Sequence, residues 1–256
     1  MRHRVEEYEV LSVPVPKDTE TYRAVPNAQI INMVKGHTQK LGFEISETCY
    51  RMNQGGNQMS GIYKLKTPDD EMSMMLGFYN SYNKTRRFGI GTGALVNICY
   101  NGMIMAEYTL MRKHTGRINE LLEEMILNAI TSVTSEFDRA QKEKKRFIEQ
   151  PIESLDQVHE LVGELYLTEQ ILAANQLSAL RKSIQDPENY FRILDNNKLI
   201  PGKSMWDMYN LVTESFKNEP AIDFVDKHVD FHLFMENKFS HEPNSATTAE
   251  PVLEVL

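Results

Sequence analysis

The sequence predicts an α+β protein: an antiparallel β-meander crossed by a long helix, followed by a helical C-terminal part and a mobile tail. Three observations predict this class. Residues 43–108 combine aromatic and β-branched segments with turn signals, residues 117–147 carry one apolar stripe at helical spacing, and the chain after Pro151 has helical periodicity. An amphipathic helix of that length needs an apolar partner, and the face of a sheet supplies one.

The N-terminal elements come first. The first 15 residues are rich in proline near their end and predict an extended arm or edge strand, because proline cannot donate to a strand ladder. Pro26 then opens a helix that runs to about Leu41, with apolar residues at helical spacing. Gly42 ends this helix.

The central part predicts five strands separated by turns. The turn signals are rich in Asn, Gly, Pro and Asp, and Asn101-Gly102 is the strongest hairpin signal among them. These turns join neighbouring strands in an antiparallel meander. The predicted strands are 43–52, 59–66, 71–82, 86–100 and 103–108.

The rest of the chain predicts helices. The long helix 117–147 is followed by a helix that begins at the capping box of Ser154 and Gln157 and continues to about residue 184. Helices 205–217 and 220–234 follow, and residues 239–256 are poor in structure-forming residues and predict a tail.

Charge divides the chain near Pro151. Residues 1–150 hold 20 basic and 18 acidic residues, whereas residues 151–256 hold 8 and 18, which gives net charges of +2 and −10 within the total of −8. We therefore predict an α+β core domain with a basic rim (1–150), an acidic helical region (151–238) and a disordered tail (239–256). Such asymmetry is typical of nucleic-acid contact on the basic side, and it is equally compatible with an acidic helical surface.

Composition excludes several classes of protein. The hydrophobic fraction is 41% and the charged fraction 25%, as in ordinary globular chains. No apolar run is long enough to span a membrane, and the first residues lack the apolar core of a secretory signal. Two cysteines make neither a disulfide framework nor a zinc site. We expect a protein of the bacterial cytoplasm that makes no membrane contact.

The histidines and carboxylates predict no reaction. His228 and His232 lie four residues apart on a predicted helix, near Asp226 and Asp230, but the His-Glu-x-x-His context of the common zinc motif is missing. No Ser-His-Asp arrangement or carboxylate pair stands out. The sequence therefore predicts no cofactor, no metal and no catalytic residue.

The densest cationic feature lies between Lys84 and Arg117, where six basic residues stand against one acid, Glu107. If the fourth and fifth strands form a hairpin, the two ends of this segment meet at one open end of the sheet. Guanidinium groups there would neutralise phosphates, and Phe88 or Tyr82 would stack on a base. The alternative is a solvated charged rim. The predicted nucleic-acid-binding residues are Lys84, Arg86, Arg87, Phe88, Arg112, Lys113, His114 and Arg117.

Methionine is frequent, with 14 residues, several of them on predicted strands. Methionine on strands is usually adaptable core filling. It is also compatible with an interface between protomers, and we expect a homo-oligomer.

Four ordered blocks resemble a phage- and plasmid-borne, LtrC-related family, catalogued as domain of unknown function 932. The blocks are Gly55-Gly56 with 62–65, 79–84 with 94–103, 112–118, and 204–214. The chain departs from the family pattern at Tyr82-Asn83-Lys84, where an acidic residue is expected, and at Leu95, where a basic one is expected. The resemblance implies a mobile-element protein with no established activity. The architecture alone is also similar to that of RecT-like single-strand annealing proteins.

These observations together predict a phage-encoded protein that binds and anneals single-stranded DNA in recombination or replication. The acidic half would recruit partners or shield the groove when DNA is absent. The alternative is a protein–protein module that inhibits a host defence factor, or a structural phage protein. In that case, the acidic half would contact a host or phage protein.

Overall fold

The computed structural model describes residues 3–67, 71–97, 101–104, 110–116, 118–219 and 223–239. Seven strands form one antiparallel sheet in the order β1-β2-β3-β4-β5-β6, and β7 also pairs with β5. The predicted meander is confirmed. The strands are β1 (His3–Val5), β2 (Ile45–Met52), β3 (Gln58–Leu65), β4 (Met72–Ser81), β5 (Phe88–Val96), β6 (Asn101–Ile104) and β7 (Leu110–Arg112).

One turn was predicted at the wrong position. Asn101 pairs with Val96 and Gly102 pairs with Leu95, so both residues belong to β6. Residues 97–100 connect β5 to β6, and 98–100 lie outside the described residues. The local Asn-Gly signal gives way here to strand pairing, which begins directly after this four-residue connection.

Two helices cover one face of the sheet. These are α2 (Asn27–Lys40) and α3 (Ile118–Ile148), and both agree with the predicted helices. Their apolar stripes meet the side chains of alternate strand residues, such as Leu76, Phe78 and Ile90, in one buried cluster. Because successive strand residues point to opposite faces, the intervening residues lie on the second face.

The acidic helical region shares a core with the sheet. Met72 and Val96 from the strands lie in one buried cluster with Phe147 of α3 and with Trp206 and Tyr209. The helices of this region are α4 (Leu155–Gly163), α5 (Ala174–Ser183), α6 (Met205–Ser215) and α7 (Asp223–Phe239), with a two-stranded hairpin of β8 (Leu194–Asp195) and β9 (Lys198–Leu199) before α6.

The single helix predicted from residue 154 to residue 184 was wrong. Its start is correct, because the Ser154 hydroxyl accepts a hydrogen bond of 3.2 Å from the Gln157 amide. After α4, however, the chain makes one π-helical turn, Glu164–Thr168, and then leaves helical geometry. Gln170 adopts a positive φ of 54°, which interrupts the helix before α5.

Helix α7 packs on the second face of the sheet. Val225 and Val229 form a buried cluster with Met75, Tyr79 and Leu95. The N-terminal arm was predicted only in part: β1 is the edge strand, but it continues into a short helix, α1 (Glu7–Ser12). No helix of the described residues has the length and apolar character needed to cross a membrane.

Several strand methionines contribute to the core. Met59, Met72 and Met75 are fully buried inside the chain. At these three positions, core filling is the interpretation that fits.

Candidate nucleic-acid interface

A cleft of about 460 Å³ opens where the β4–β5 loop, the end of β7, the arm before α2 and the start of α7 come together. We call it the basic cleft. It is lined by Thr21, Tyr22, Tyr79, Lys84, Thr85, Arg86, Arg87, Met111, Lys113, His114, Thr115 and Asp226.

A side-chain hub shapes the loop that carries Lys84, Arg86 and Arg87. The Asn83 side-chain oxygen accepts hydrogen bonds from the Ser81 hydroxyl at 2.6 Å and from the Thr85 amide at 3.2 Å. Gln58 on β3 donates to the Thr85 hydroxyl at 2.8 Å. Lys84 has a positive φ of 64°, so the chain reverses tightly at that residue. The loop is therefore held in one shape by short polar side chains.

The base of the same loop is fixed to the start of α2. The Tyr82 hydroxyl accepts a hydrogen bond of 2.8 Å from the Asn27 amide, one of the first amides of that helix. Asn80 donates to the Val25 carbonyl at 2.8 Å and to the Asn27 side-chain oxygen at 2.7 Å. These contacts hold the loop and the preceding arm on the same rim of the cleft.

Arg86 is paired with two acids of α7. Its guanidinium lies 2.6 Å from the Asp223 carboxylate and 3.4 Å from the Asp226 carboxylate. The Tyr79 hydroxyl also donates to Asp226, at 3.3 Å. Burial raises the pKa of Asp226, and the charge of Arg86 opposes part of that shift. One cation of the cleft thus already binds carboxylates.

Lys84 and His114 both contact Tyr22. The Lys84 ammonium lies 4.9 Å from the centre of the Tyr22 ring, which is a cation–π contact. The His114 ring centre lies 5.5 Å from the same ring. His114 is only 4% exposed, and neither of its ring nitrogens makes a hydrogen bond of good geometry. Burial lowers the pKa of His114, which favours the neutral ring, and a hydrogen bond with the Arg23 backbone opposes part of that shift.

Five of the eight predicted residues therefore line one cleft: Lys84, Arg86, Arg87, Lys113 and His114. Arg112 does not line it. Arg112 pairs in register with Phe88, and cross-strand partners share a face, so Arg112 lies on the helix-covered face while Met111 and Lys113 reach the cleft. Arg117 lies outside the described residues.

The predicted stacking residues were wrong. Phe88 is fully buried beneath α3, in the same cluster as Ile90. Tyr82 is 8% exposed, and its hydroxyl is engaged by α2. A base cannot stack on either ring without opening the core. Phe88 pairs with Arg112, so both side chains lie on the face that α3 covers. The sequence pattern alone does not specify this register.

Sequence reasoning missed the acids of the cleft and Tyr22, one of the two tyrosines in its wall. Asp226 is 140 residues from Arg86, and no local signal connects them.

The two histidines that the sequence offered as metal ligands, His228 and His232, are both buried where α7 packs against the rest of the protein. The Tyr209 hydroxyl lies 3.4 Å from the His232 Nδ1. Across the described part of the chain, no group of three or more His, Cys, Asp or Glu side chains is arranged to hold a metal ion.

Comparison with known proteins gives a family and nothing finer. The chain matches no curated protein, and it matches no solved structure. The model of a family described as Domain of unknown function (DUF932) matches residues 17–238. That range begins in the arm that borders the basic cleft and ends in α7, so it contains every segment that lines the cleft. The chain therefore belongs to the DUF932 family.

Proposed function

We propose that this protein binds single-stranded nucleic acid, foremost single-stranded DNA, through phosphates held in the basic cleft. In this proposal, it acts in the bacterial cytoplasm, during the recombination or replication of a phage or another mobile element. Strand annealing by a homo-oligomer is the activity to test once binding is measured.

The convergence of cations from separate segments carries the proposal. Lys84, Arg86 and Arg87 come from the β4–β5 loop, and Lys113 comes from the end of β7. Among the described residues, no carboxylate lies within 4.0 Å of the Lys84 or Arg87 nitrogen atoms, whereas Arg86 is held by α7. Cations concentrated in one concave site attract polyanions, and the phosphate contacts release counterions.

The geometry favours phosphate contacts over base contacts. Tyr22 and Tyr79, the aromatic residues of the cleft wall, are 4% and 2% exposed. Neither ring offers an open face of the kind that single-strand binding proteins use for stacking. A cleft of about 460 Å³ has the size of a small-ligand site, which suits part of one strand.

Fluorescence anisotropy of a labelled single-stranded oligonucleotide at several salt concentrations tests the proposal, with a duplex of the same sequence beside it. We expect salt-sensitive binding that prefers the single strand. Since each phosphate contact contributes about −0.7 to the slope of log K against log salt, Arg86→Ala with Arg87→Ala should flatten that slope by about 0.7 to 1.4.

A matched control is Lys142→Ala with Lys145→Ala. These lysines are exposed on α3, and Lys142 lies 24 residues after the start of that helix, about 36 Å along its axis. This control should leave the slope unchanged. Equal flattening in both variants would indicate a general charge effect, and no binding of wild type at low salt would refute the proposal.

The protein–protein alternative has one observation in its favour, because α7 already places two carboxylates on Arg86. The cleft thus accepts acidic side chains as well as phosphates. Its other motivation is weaker, since Met72 and Met75 are buried in the core. Capture of one acidic protein that competes with the oligonucleotide would support this alternative.

A further inference from the structure

His114 is a buried polar side chain whose hydrogen-bonding capacity is poorly satisfied. It is 4% exposed in the wall of the basic cleft, and neither ring nitrogen makes a hydrogen bond of good geometry. An unsatisfied buried polar group destabilises a fold, and such groups in native proteins call for an explanation. A neutral imidazole carries one N–H donor and one acceptor nitrogen. A ligand in the cleft that presents oxygen atoms would satisfy it.

The charge around His114 defines the ligand's sign and size. Lys84, Arg86, Arg87 and Lys113 bring four positive charges to the wall, and the carboxylates of Asp223 and Asp226, both paired with Arg86, offset two of them. An internal phosphodiester carries one negative charge, whereas a phosphomonoester carries about −1.5 to −2 at neutral pH, with three acceptor oxygens. The larger charge and the extra oxygen match a wall that offers several converging donors.

Four segments of the chain line the cleft: the arm at Thr21 and Tyr22, the loop 84–87, the corner 111–115, and α7 through Asp226. Polar groups from separate parts of the chain therefore converge on one site.

We infer that the basic cleft binds the terminal phosphate of a nucleic-acid strand, with the His114 imidazole donating to a phosphate oxygen among the surrounding cations. This inference rests on the proposed function and names the part of the strand that the cleft recognises. The same phosphomonoester chemistry is present in a free nucleoside monophosphate, which the experiment separates from a strand end.

The test compares one single-stranded oligonucleotide in three forms, with a 5′-phosphate, with a 3′-phosphate, and with hydroxyl groups at both ends. We expect the full-length protein to bind at least one phosphorylated form about tenfold more tightly than the hydroxyl form, because the added charge forms several charge-assisted hydrogen bonds. Equal affinity for all three forms would overturn the inference and leave the proposed function standing.

His114→Gln should reduce this preference while the hydroxyl form still binds. Because His114 is buried, the thermal unfolding of the His114→Gln variant is measured alongside its binding. Arg87→Gln supplies a second variant at a partly exposed loop position, where the substitution is less disruptive to the fold. Loss of the preference in Arg87→Gln supports the inference even if His114→Gln fails to fold. A preference that both folded variants retain in full overturns it.

The two sources of a phosphomonoester give different results. Competition by the phosphorylated oligonucleotide, with adenosine monophosphate inactive at the same concentration, supports a strand end. If no oligonucleotide binds at low salt, the proposed function fails, and calorimetry with adenosine monophosphate then decides about the site. If adenosine monophosphate binds and Arg87→Gln weakens that binding, the cleft is a phosphomonoester site for free nucleotides and not for strand ends. If adenosine monophosphate gives no heat of binding, the inference is overturned.

Discussion

Gly89 on β5 lies directly under the ring of Tyr79, and replacing it by alanine perturbs the second face of the sheet. A Cβ atom at this position would lie 2.5 Å from the Tyr79 Cζ atom and 2.7 Å from a ring carbon. Ordinary van der Waals contact begins near 3.5 Å, so the ring must move by about 1 Å. Tyr79 is only 2% exposed and packs against Val225 and Val229, which leaves little room for that movement.

The expected cost is that of overpacking a filled core, about 1–3 kcal/mol of unfolding free energy. A displaced ring also weakens the hydrogen bond from Tyr79 to Asp226. For a chain of this size, such a loss lowers the melting temperature by about 2–4 °C per kcal/mol. Urea unfolding followed by the fluorescence of Trp206, the only tryptophan, measures the change.

Gly36→Ala is the matched control. Gly36 lies inside α2, and a Cβ atom there would have no neighbour within 4 Å. Alanine should therefore stabilise the protein by up to about 1 kcal/mol, because glycine is the poorer helix former. If Gly89→Ala unfolds at the same urea concentration as wild type, the tight contact between Tyr79 and the strand is refuted.

Three further predictions follow from single contacts. Asp223→Asn removes the closer ion pair of Arg86, a partly exposed pair worth about 0.5–1 kcal/mol. Release of Arg86 should tighten oligonucleotide binding about two- to fivefold, whereas the control Asp230→Asn on the same helix should leave the affinity unchanged. Equal effects of the two variants would contradict the release of Arg86. Burial lowers the pKa of His232 to about 4, so between about pH 6.5 and 4 the unfolded state binds a proton that the folded state does not. The free energy of unfolding therefore falls by about 3 kcal/mol as the pH drops through that window. His232→Gln should flatten this fall, and a pH profile of urea unfolding identical to that of wild type would disprove the prediction. Phe88→Leu should lower the free energy of unfolding by about 1–2 kcal/mol, because Phe88 is fully buried, and should leave the salt dependence of oligonucleotide binding unchanged. A changed slope of log K against log salt would indicate that Phe88 contacts the nucleic acid.

The sequence was sufficient to predict the α+β class and the long helix, because both depend on local periodicity. The apolar stripe of α3 and the apolar–polar alternation of the strands indicate which face of each element is buried. They do so without knowledge of the tertiary contacts. The break after α4 was missed because it falls at Gln170, and a positive φ is uncommon for a residue other than glycine. The Asn101-Gly102 turn was misplaced because strand pairing prevailed over a dipeptide preference.

For the candidate site, the sequence located the cations but not their faces. A one-residue change in register moves a strand side chain to the opposite face, and the register of β7 with β5 is what separates Arg112 from Lys113. The pairing of Arg86 with Asp223 depends on where α7 docks, which no local pattern specifies. His114 was identified by its basic neighbours, whereas its burial became visible only in three dimensions.

The ion pair between Arg86 and Asp226 has a consequence for biosynthesis. Its two residues are 140 positions apart, and ribosomes add about 5–20 residues per second, so about 7–28 s separate their synthesis. Throughout that interval, the nascent sheet lacks α7, and Met75, Tyr79 and Leu95 have no cover from Val225 and Val229. The basic loop is likewise without its carboxylates. The emerging chain therefore passes through a stage in which an apolar sheet face and a cationic rim without the α7 carboxylates are exposed side by side.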